Sequence, residues 1–433
     1  MNKKLMAVAI AAALAAPGLA FAQASSVTIS GVLKVGVDNL SIGSANTARK
    51  GNTSEMRVTD NSSRIIFGMN EDLGNGLAAI GQVDVRFSTD IAANVYQGNT
   101  TATGTGGTTM SAGGNTWVGL RSKTIGSLVV GRADLHYGLF ELNDIASKAG
   151  ALMASTVGLF DYIGGTAIAG GTRTNNVVKY DSPVWGGFDM TAAWSANPTG
   201  PEADLINNQS ATTTTNATSR KGQAWNFNPR YNGGNWGARY SYWNQKSDGG
   251  TTPATLASIG IACTATQVAY LTNGCATMQT NPADQRGDTL LGWMQFGGLK
   301  VALGWNRSTL TGTDAINGGA GVKTNERDAW TLPITYVFGP NNVYFHYTRA
   351  NDDKVAAAGA NGAHMWALAY VYDLSKRSSV GVTYAKITNH SAGTYNFFTN
   401  GGANAAGQFG SPGGSSLAGE APQLIQVTMR HAF

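Results

Sequence analysis

The amino-acid sequence predicts an all-β fold: a transmembrane antiparallel 16-stranded β-barrel with an inward-folded third external loop. Three observations predict it: an unusual composition, a repeated two-residue alternation, and connections that switch between short and long. Only 13% of the 433 residues are charged, while glycine reaches 57, tyrosine 15 and tryptophan 10. Soluble proteins carry about 25% charged residues, so part of this surface meets something other than water. Beyond the N-terminus the longest apolar run, Met365 to Tyr372, is eight residues. A membrane-spanning helix needs about 20, which excludes helical spans. With 42% hydrophobic and 9% aromatic residues, intrinsic disorder is excluded as well.

The first 22 residues read as a cleaved export signal. Lys3 and Lys4 precede the apolar stretch Leu5 to Ala16, Pro17 and Gly18 break it, and Ala20-Phe21-Ala22 ends it with small residues before Gln23. The domain is then 23–433, with a net charge of +3 once Lys3 and Lys4 are removed from +5. So weak a basic balance, with no basic run, implies no nucleic-acid partner.

Alternation begins in the first strand, Val27 to Asp38. Ile29, Gly31, Leu33, Val35 and Val37 take one face, and Thr28, Ser30, Val32, Lys34, Gly36 and Asp38 the other. The split recurs from Leu77 to Phe87, from Phe188 to Ser195, from Trp225 to Tyr231 and from Trp236 to Tyr242. Several strands of about ten residues finish at Trp194, Trp243, Trp305, Phe338 and Tyr372, as expected for aromatic girdles around a lipid-facing band. Short turns are expected at Glu71 to Gly76, Ser122 to Ser127, Ser182 to Gly186, Asn232 to Gly234, Gly297-Gly298, Gly339 to Asn342 and Asp373 to Ser379. Long connections include Asn39 to Ser62, Ser88 to Gly114, Asn197 to Gly222, Gln245 to Arg286 and Ser391 to Gly419. Seven turns and eight long connections join sixteen strands with both termini on the short-turn side, the rule for bacterial outer-membrane barrels. The last strand alternates through Ile425, Val427, Met429, His431 and the terminal Phe433. Pairing it with the first strand closes the sheet and removes edges that lipid cannot hydrogen-bond.

No catalytic motif stands out. There is no Gly-x-Ser-x-Gly, no His-Glu-x-x-His and no phosphate-binding glycine loop, and the five histidines are scattered. The reading is therefore not an enzyme, with no metal and no cofactor. Cys263 and Cys275 lie in one exported connection and read as a disulfide. Basic residues carry the strongest signal. Arg64, Lys34 and Arg86 fall on the wet parity of the first strands; Arg132 ends the strand Ser127 to Gly131, and Arg173 opens the strand Arg173 to Tyr180. Singly, each reads equally well as a solvated rim residue; together they suggest a basic wall facing the lumen.

Between them, Ala133 to Thr172 is unlike the other long connections. Its apolar residues, among them Leu135, Leu139, Phe140, Ile145, Met153, Leu159 and Phe160, suit packing on an inner wall, and Leu142 to Ala151 suits a short helix. Asp134, Glu141, Asp144 and Asp161 are acids placed to face the arginines across a narrowed lumen. An external cap or a contact between protomers is the alternative.

These residues resemble a family. Ser63-Arg64-Ile65-Ile66-Phe67-Gly68, Glu71 to Leu77, Trp117-Val118-Gly119-Leu120, Val130-Gly131-Arg132, Asn176 to Pro183, Tyr372 to Ser378 and the ending Met429 to Phe433 resemble the trimeric general porins of Gram-negative outer membranes, in the betaproteobacterial branch. The resemblance implies an outer-membrane homotrimer in contact with lipid, a third external loop (133–172) folded inward as an eyelet, wall arginines at Arg64 and Arg173, and an assembly signal at Phe433. It implies passive diffusion of small hydrophilic solutes and ions through a water-filled channel. Alternatives are a channel selective for sugars or anions, for which an inward row of Trp243, Trp293 and Tyr344 would speak, and a plugged barrel acting as an adhesin or structural protein. One wall arginine frequent in the family is replaced here by Gly114, and the loop lacks the Pro-Glu-Phe-Gly of enterobacterial members.

Overall fold

The computed structural model describes residues 26–49, 52–87, 89–90, 110–136, 144–160, 162–163, 166–167, 173–198, 222–246, 283–312, 321–355, 359–397 and 417–433. The export signal and the Cys263–Cys275 pair lie outside the described residues.

Eighteen hydrogen-bonded segments form one antiparallel sheet that closes into sixteen strands, because two strands are each interrupted once. The strands are β1 (Ser26–Ile42), β2 (Ser54–Asp60 and Arg64–Gly74), β3 (Leu77–Phe87), β4 (Met110–Ser111 and Thr116–Ser122), β5 (Gly126–Asp134), β6 (Arg173–Asp181), β7 (Phe188–Ser195) and β8 (Gln223–Asn232). The second half is β9 (Trp236–Lys246), β10 (Ala283–Phe296), β11 (Leu299–Gly312), β12 (Lys323–Phe338), β13 (Asn341–Ala350), β14 (Ala363–Asp373), β15 (Ser378–Asn389) and β16 (Pro422–Ala432).

Closure follows from β1 pairing on both sides. It meets both halves of β2 on one side and β16 on the other, from Val32 opposite Ala432 to Ile42 opposite Pro422. Phe433 extends this seam by exchanging two backbone hydrogen bonds with Gly31, at 3.0 and 3.1 Å. A Cβ on Gly31 would lie 2.5 Å from the Phe433 ring, so only glycine leaves the terminal aromatic its place.

All seven short turns fall where the sequence puts them. The first holds Asn75 at φ 53° and Gly76 at φ 78°, the pair of positive values that a two-residue hairpin turn demands. Alternation sorts the faces as expected. In β1, Lys34 and Asp38 are buried on the inner parity while Val37 is half exposed on the outer one. Exposed Leu290, Leu303, Leu368, Val427 and Met429 belong to the same outer band, which in a membrane faces acyl chains.

Some boundaries move. The connection expected over Asn39 to Ser62 is strand at both ends: β1 runs on to Ile42, and Ser54–Asp60 pairs with it. The reason is a second alternation, Met56 and Val58 outward against Arg57 and Thr59. β5 continues past Gly131 to Asp134, and the helix expected over Leu142 to Ala151 is described only for Asp144–Ser147. Trp243 is fully buried on the inner face and so is not part of a lipid-facing girdle.

The main apolar cluster sits on the inner face. Tyr344, Met365, Ala367, Ala369, Ala385, Ile387 and Leu424 of β13 to β16 pack with Ile145, Ala149, Met153, Ala154 and Leu159 of the connection between β5 and β6. Burying each large side chain there contributes roughly 1.5–3 kcal/mol.

Candidate functional site

The basic residues converge where β2 and β4, the two neighbours of β3, are both interrupted. In β2 the Asp60 carboxylate accepts the backbone N–H groups of Ser62 at 2.8 Å and Ser63 at 3.2 Å, and Ser62 turns to φ 73°. In β4 the strand lapses between Ser111 and Thr116, and Gly114 N–H donates to the Asp84 carbonyl at 3.1 Å. A Cβ at Gly114 would lie 2.0 Å from the Asp84 carboxylate carbon, so any larger residue there displaces that carboxylate.

Asp84 is the hub. Arg86 donates to it through Nε and Nη2, each at 2.8 Å, and Arg64 stands 3.8 Å away. Arg86 also donates to Ser62 Oγ. Arg64 and Arg86 are direct register partners. Arg173 pairs in register with Asp134 and donates from Nη1 to the Gly113 carbonyl at 3.2 Å. Asn115 holds Asp134 by two hydrogen bonds, of 2.8 and 2.9 Å. Arg132 follows Gly131, whose φ is 143°, and its charge interacts with Asp134, Arg86 and Asp84. Four arginines thus gather around two carboxylates.

Lys34 stands one step along the wall, within electrostatic reach of Arg64, Arg86 and Arg430. Its Nζ donates to the Ala146 carbonyl at 3.2 Å, which ties it to the connection between β5 and β6. That connection is held elsewhere too. Leu152 N–H donates to Asn61 Oδ1 at 3.1 Å, Thr428 Oγ1 to the Ala149 carbonyl at 2.5 Å, and Arg327 to the Leu159 and Phe160 carbonyls at 2.5 and 2.8 Å. His136 Nδ1 lies 2.7 Å from Ser241 Oγ, and its ring stacks on Trp243 at 6.4 Å.

The structure brings Arg64, Arg86, Arg132 and Arg173 together with Lys34 beside them. Of the acids read as facing them across the lumen, Asp134 is instead the last residue of β5 and sits beside Arg173 on the same wall, because β5 runs on past Gly131. Glu141 and Asp161 lie outside the described residues, and Asp144 is described only as the first residue of its short helix. Trp243, Trp293 and Tyr344 share the inner parity but form no row: the first two sit six positions apart along β9 and β10, about 20 Å, and Tyr344 lies on β13. Sequence reasoning missed the pair Arg57–Asp38, at 2.9 Å, which sits beside Met153, and the anchor Arg327. Each was readable as an inner position of an alternating strand.

A closed barrel of this size with polar groups on its inner face and an apolar band outside defines an outer-membrane channel protein. The family model of Gram-negative porins matches residues 7–392, and the chain belongs to that family. Among solved structures, the anion-selective porin from Comamonas acidovorans superposes with a TM-score of 0.65 at 21% identity, over 95% of this chain and 100% of that one. The outer membrane protein OmpT of Vibrio cholerae gives 0.56 at 14% identity, over 96% and 100% of the two chains. OmpF of Salmonella typhi, solved in complex with daunomycin, gives 0.57 at 13% identity, over 95% and 99%. No curated protein sequence matches the chain. The protein is an outer-membrane porin, a water-filled channel for passive diffusion of small hydrophilic solutes and ions. Porins are channels, not enzymes.

Proposed function

We propose that the channel narrows beside the arginine cluster and favours anions there. The observation that carries this is the gathering of Arg64, Arg86, Arg132 and Arg173 around Asp84 and Asp134, two more positive charges than negative. Ala133 to Thr172 forms the opposite side of the narrowing. Support comes from its apolar residues packing on the inner face of β13 to β16 and from its carbonyls accepting from Lys34, Thr428 and Arg327. The likeness to an anion-selective porin fits the same reading. The working assembly is a homotrimer, the signal 1–22 is removed, Cys263 and Cys275 form a disulfide, and Phe433 serves assembly through its place at the seam.

In a wet pore a charge about 5 Å from a passing ion contributes on the order of 0.8 kcal/mol, roughly fourfold in local occupancy before salt screening. Arg64→Ser and Arg173→Ser should each move the zero-current potential in a dilute salt gradient toward cation preference. An unchanged potential in both variants overturns the proposed constriction.

A further inference from the structure

The last external connection turns back into the barrel. β15 ends at Asn389 and β16 begins at Pro422; between them residues 390–397 and 417–421 are described. Asn389 sets the return. Its side-chain oxygen accepts the Tyr395 backbone N–H at 2.8 Å, and its amide nitrogen donates to the carbonyls of Tyr395 at 2.9 Å and Glu420 at 2.8 Å. One carboxamide therefore holds the outgoing and the incoming limb together. At the incoming limb, the fully buried Glu420 pairs with Arg49 and accepts the N–H groups of Asn46 at 3.3 Å and Leu417 at 2.7 Å. Gly43 N–H donates to the Ala421 carbonyl at 2.8 Å, so the first external connection clasps the last at the rim.

The return carries two aromatic rings inward. Tyr395 and Phe397 keep 1% and 2% exposure and belong to the apolar cluster that β13 to β16 build with Ile145, Met153 and Leu159. The Tyr395 hydroxyl accepts from Arg327 Nη1 at 3.1 Å, and its ring lies 5.8 Å from that guanidinium. Arg327 belongs to β12, and β13 and β14 stand between β12 and β15, three strand spacings or about 14 Å. Tyr395 reaches Arg327 only across the barrel interior. The same guanidinium donates to the Leu159 and Phe160 carbonyls, so one buried cation joins the last external connection to the segment 145–160. Apolar contacts with the wall are non-directional: they oppose lifting of that segment and leave it free to slide. The hydrogen bonds of Arg327 and the two rings above it supply the missing direction.

We propose that the connection between β15 and β16 is a strap, with Tyr395 and Phe397 as positioning residues that fix 145–160 against the wall and so set the channel's aperture. The aperture rests on the reading of 133–172 as the narrowing. The test follows hydrogen exchange by mass spectrometry in the purified full-length oligomer, and sizes the pore in planar bilayers with graded polyethylene glycols. In Tyr395→Ala the 154–160 amides, among them Leu159 and Phe160 bonded to the Thr156 carbonyl at 3.1 and 2.9 Å, should exchange about tenfold faster or more. The 365–371 amides of β14 should be unchanged, and larger polymers should enter. Tyr395→Phe keeps the ring and loses the acceptor, and should stay within about threefold. A rise confined to 390–397, or an equal rise in β14, overturns the strap, because the ring then serves its own loop or the wall as a whole. Faster exchange of 154–160 with an unchanged polymer cut-off supports the strap and fails the narrowing instead. If Tyr395→Ala yields no heat-modifiable oligomer, Phe397→Leu takes its place: faster 154–160 amides support the strap, and wild-type exchange there overturns it.

Discussion

Two stretches of the inner wall, β2 to β6 and β12 to β16, share one alternation but present opposite chemistry. The first offers Arg64, Arg86 and Arg173 with Asp84 and Asp134. The second offers Ala363, Met365, Ala367, Ala369, Ala385 and Ile387, all with essentially no exposure. Small apolar side chains make a bed on which Ile145, Met153 and Leu159 pack, while Arg64, Arg86 and Arg173 engage Asp84, Asp134 and the Gly113 carbonyl. The difference teaches that the inner face of such a barrel is not uniformly polar: it is apolar where it must carry another piece of chain. Arginine itself is used both ways. Arg327 is fully buried in the second stretch, with its charge directed at two backbone carbonyls and the Tyr395 hydroxyl, 3.1 Å away.

Placing a charge in the bed should break the contrast most severely. Ala385→Glu, whose register partners Ala367 and Leu424 are both apolar, buries a carboxylate with no partner, at a cost of about 3–5 kcal/mol. Hydrogen exchange of residues 145–160 should rise sharply, or oligomer yield should fall; protection equal to wild type would mean the segment does not rest on this wall. Next in size is Arg327→Ala, which strands the Leu159 and Phe160 carbonyls and should cost about 3 kcal/mol. Its expected signature is larger and noisier single-channel current, with Arg327→Lys between the two.

Changes in the charged stretch should be gentler because water screens them. Asp84→Asn leaves the arginines facing one carboxylate fewer and should strengthen anion preference by on the order of 0.8 kcal/mol at most. Gly114→Ala, by pushing the Asp84 carboxylate aside, should shift the zero-current potential in the same direction and by less. The smallest effect expected is at the external rim. Asp352 joins His390 at 2.9 Å and Gly362 N–H at 2.6 Å, and these hydrogen bonds, His390 first, hold its carboxyl below the usual range. A lowered folded value means the contact stabilises above the ordinary carboxylate pKa, about 3.9, and is lost as the pH falls through the lower folded value. Exchange of the 359–363 amides should therefore quicken at the acid end in wild type and be indifferent to that change in Asp352→Asn.

The sequence by itself determined the strand count, the closing strand, every short turn and the inner parity of Lys34, Arg64 and Arg86. All of these are local facts, since a two-residue period assigns a face and glycine or asparagine marks a turn without reference to distant residues. Ser54–Asp60 was equally local but was hidden among connection-like residues on both sides. What only the tertiary structure decided is which inner positions meet. By alternation Arg132 shares the outward parity of Leu128 and Val130, and it reaches the cluster at the chain bend of Gly131, φ 143°, which alternation does not encode. Arg327 serves as an anchor because the 159–160 carbonyls come to it across 167 residues. Register is set when sixteen strands close around one another, and no short stretch of sequence contains that constraint.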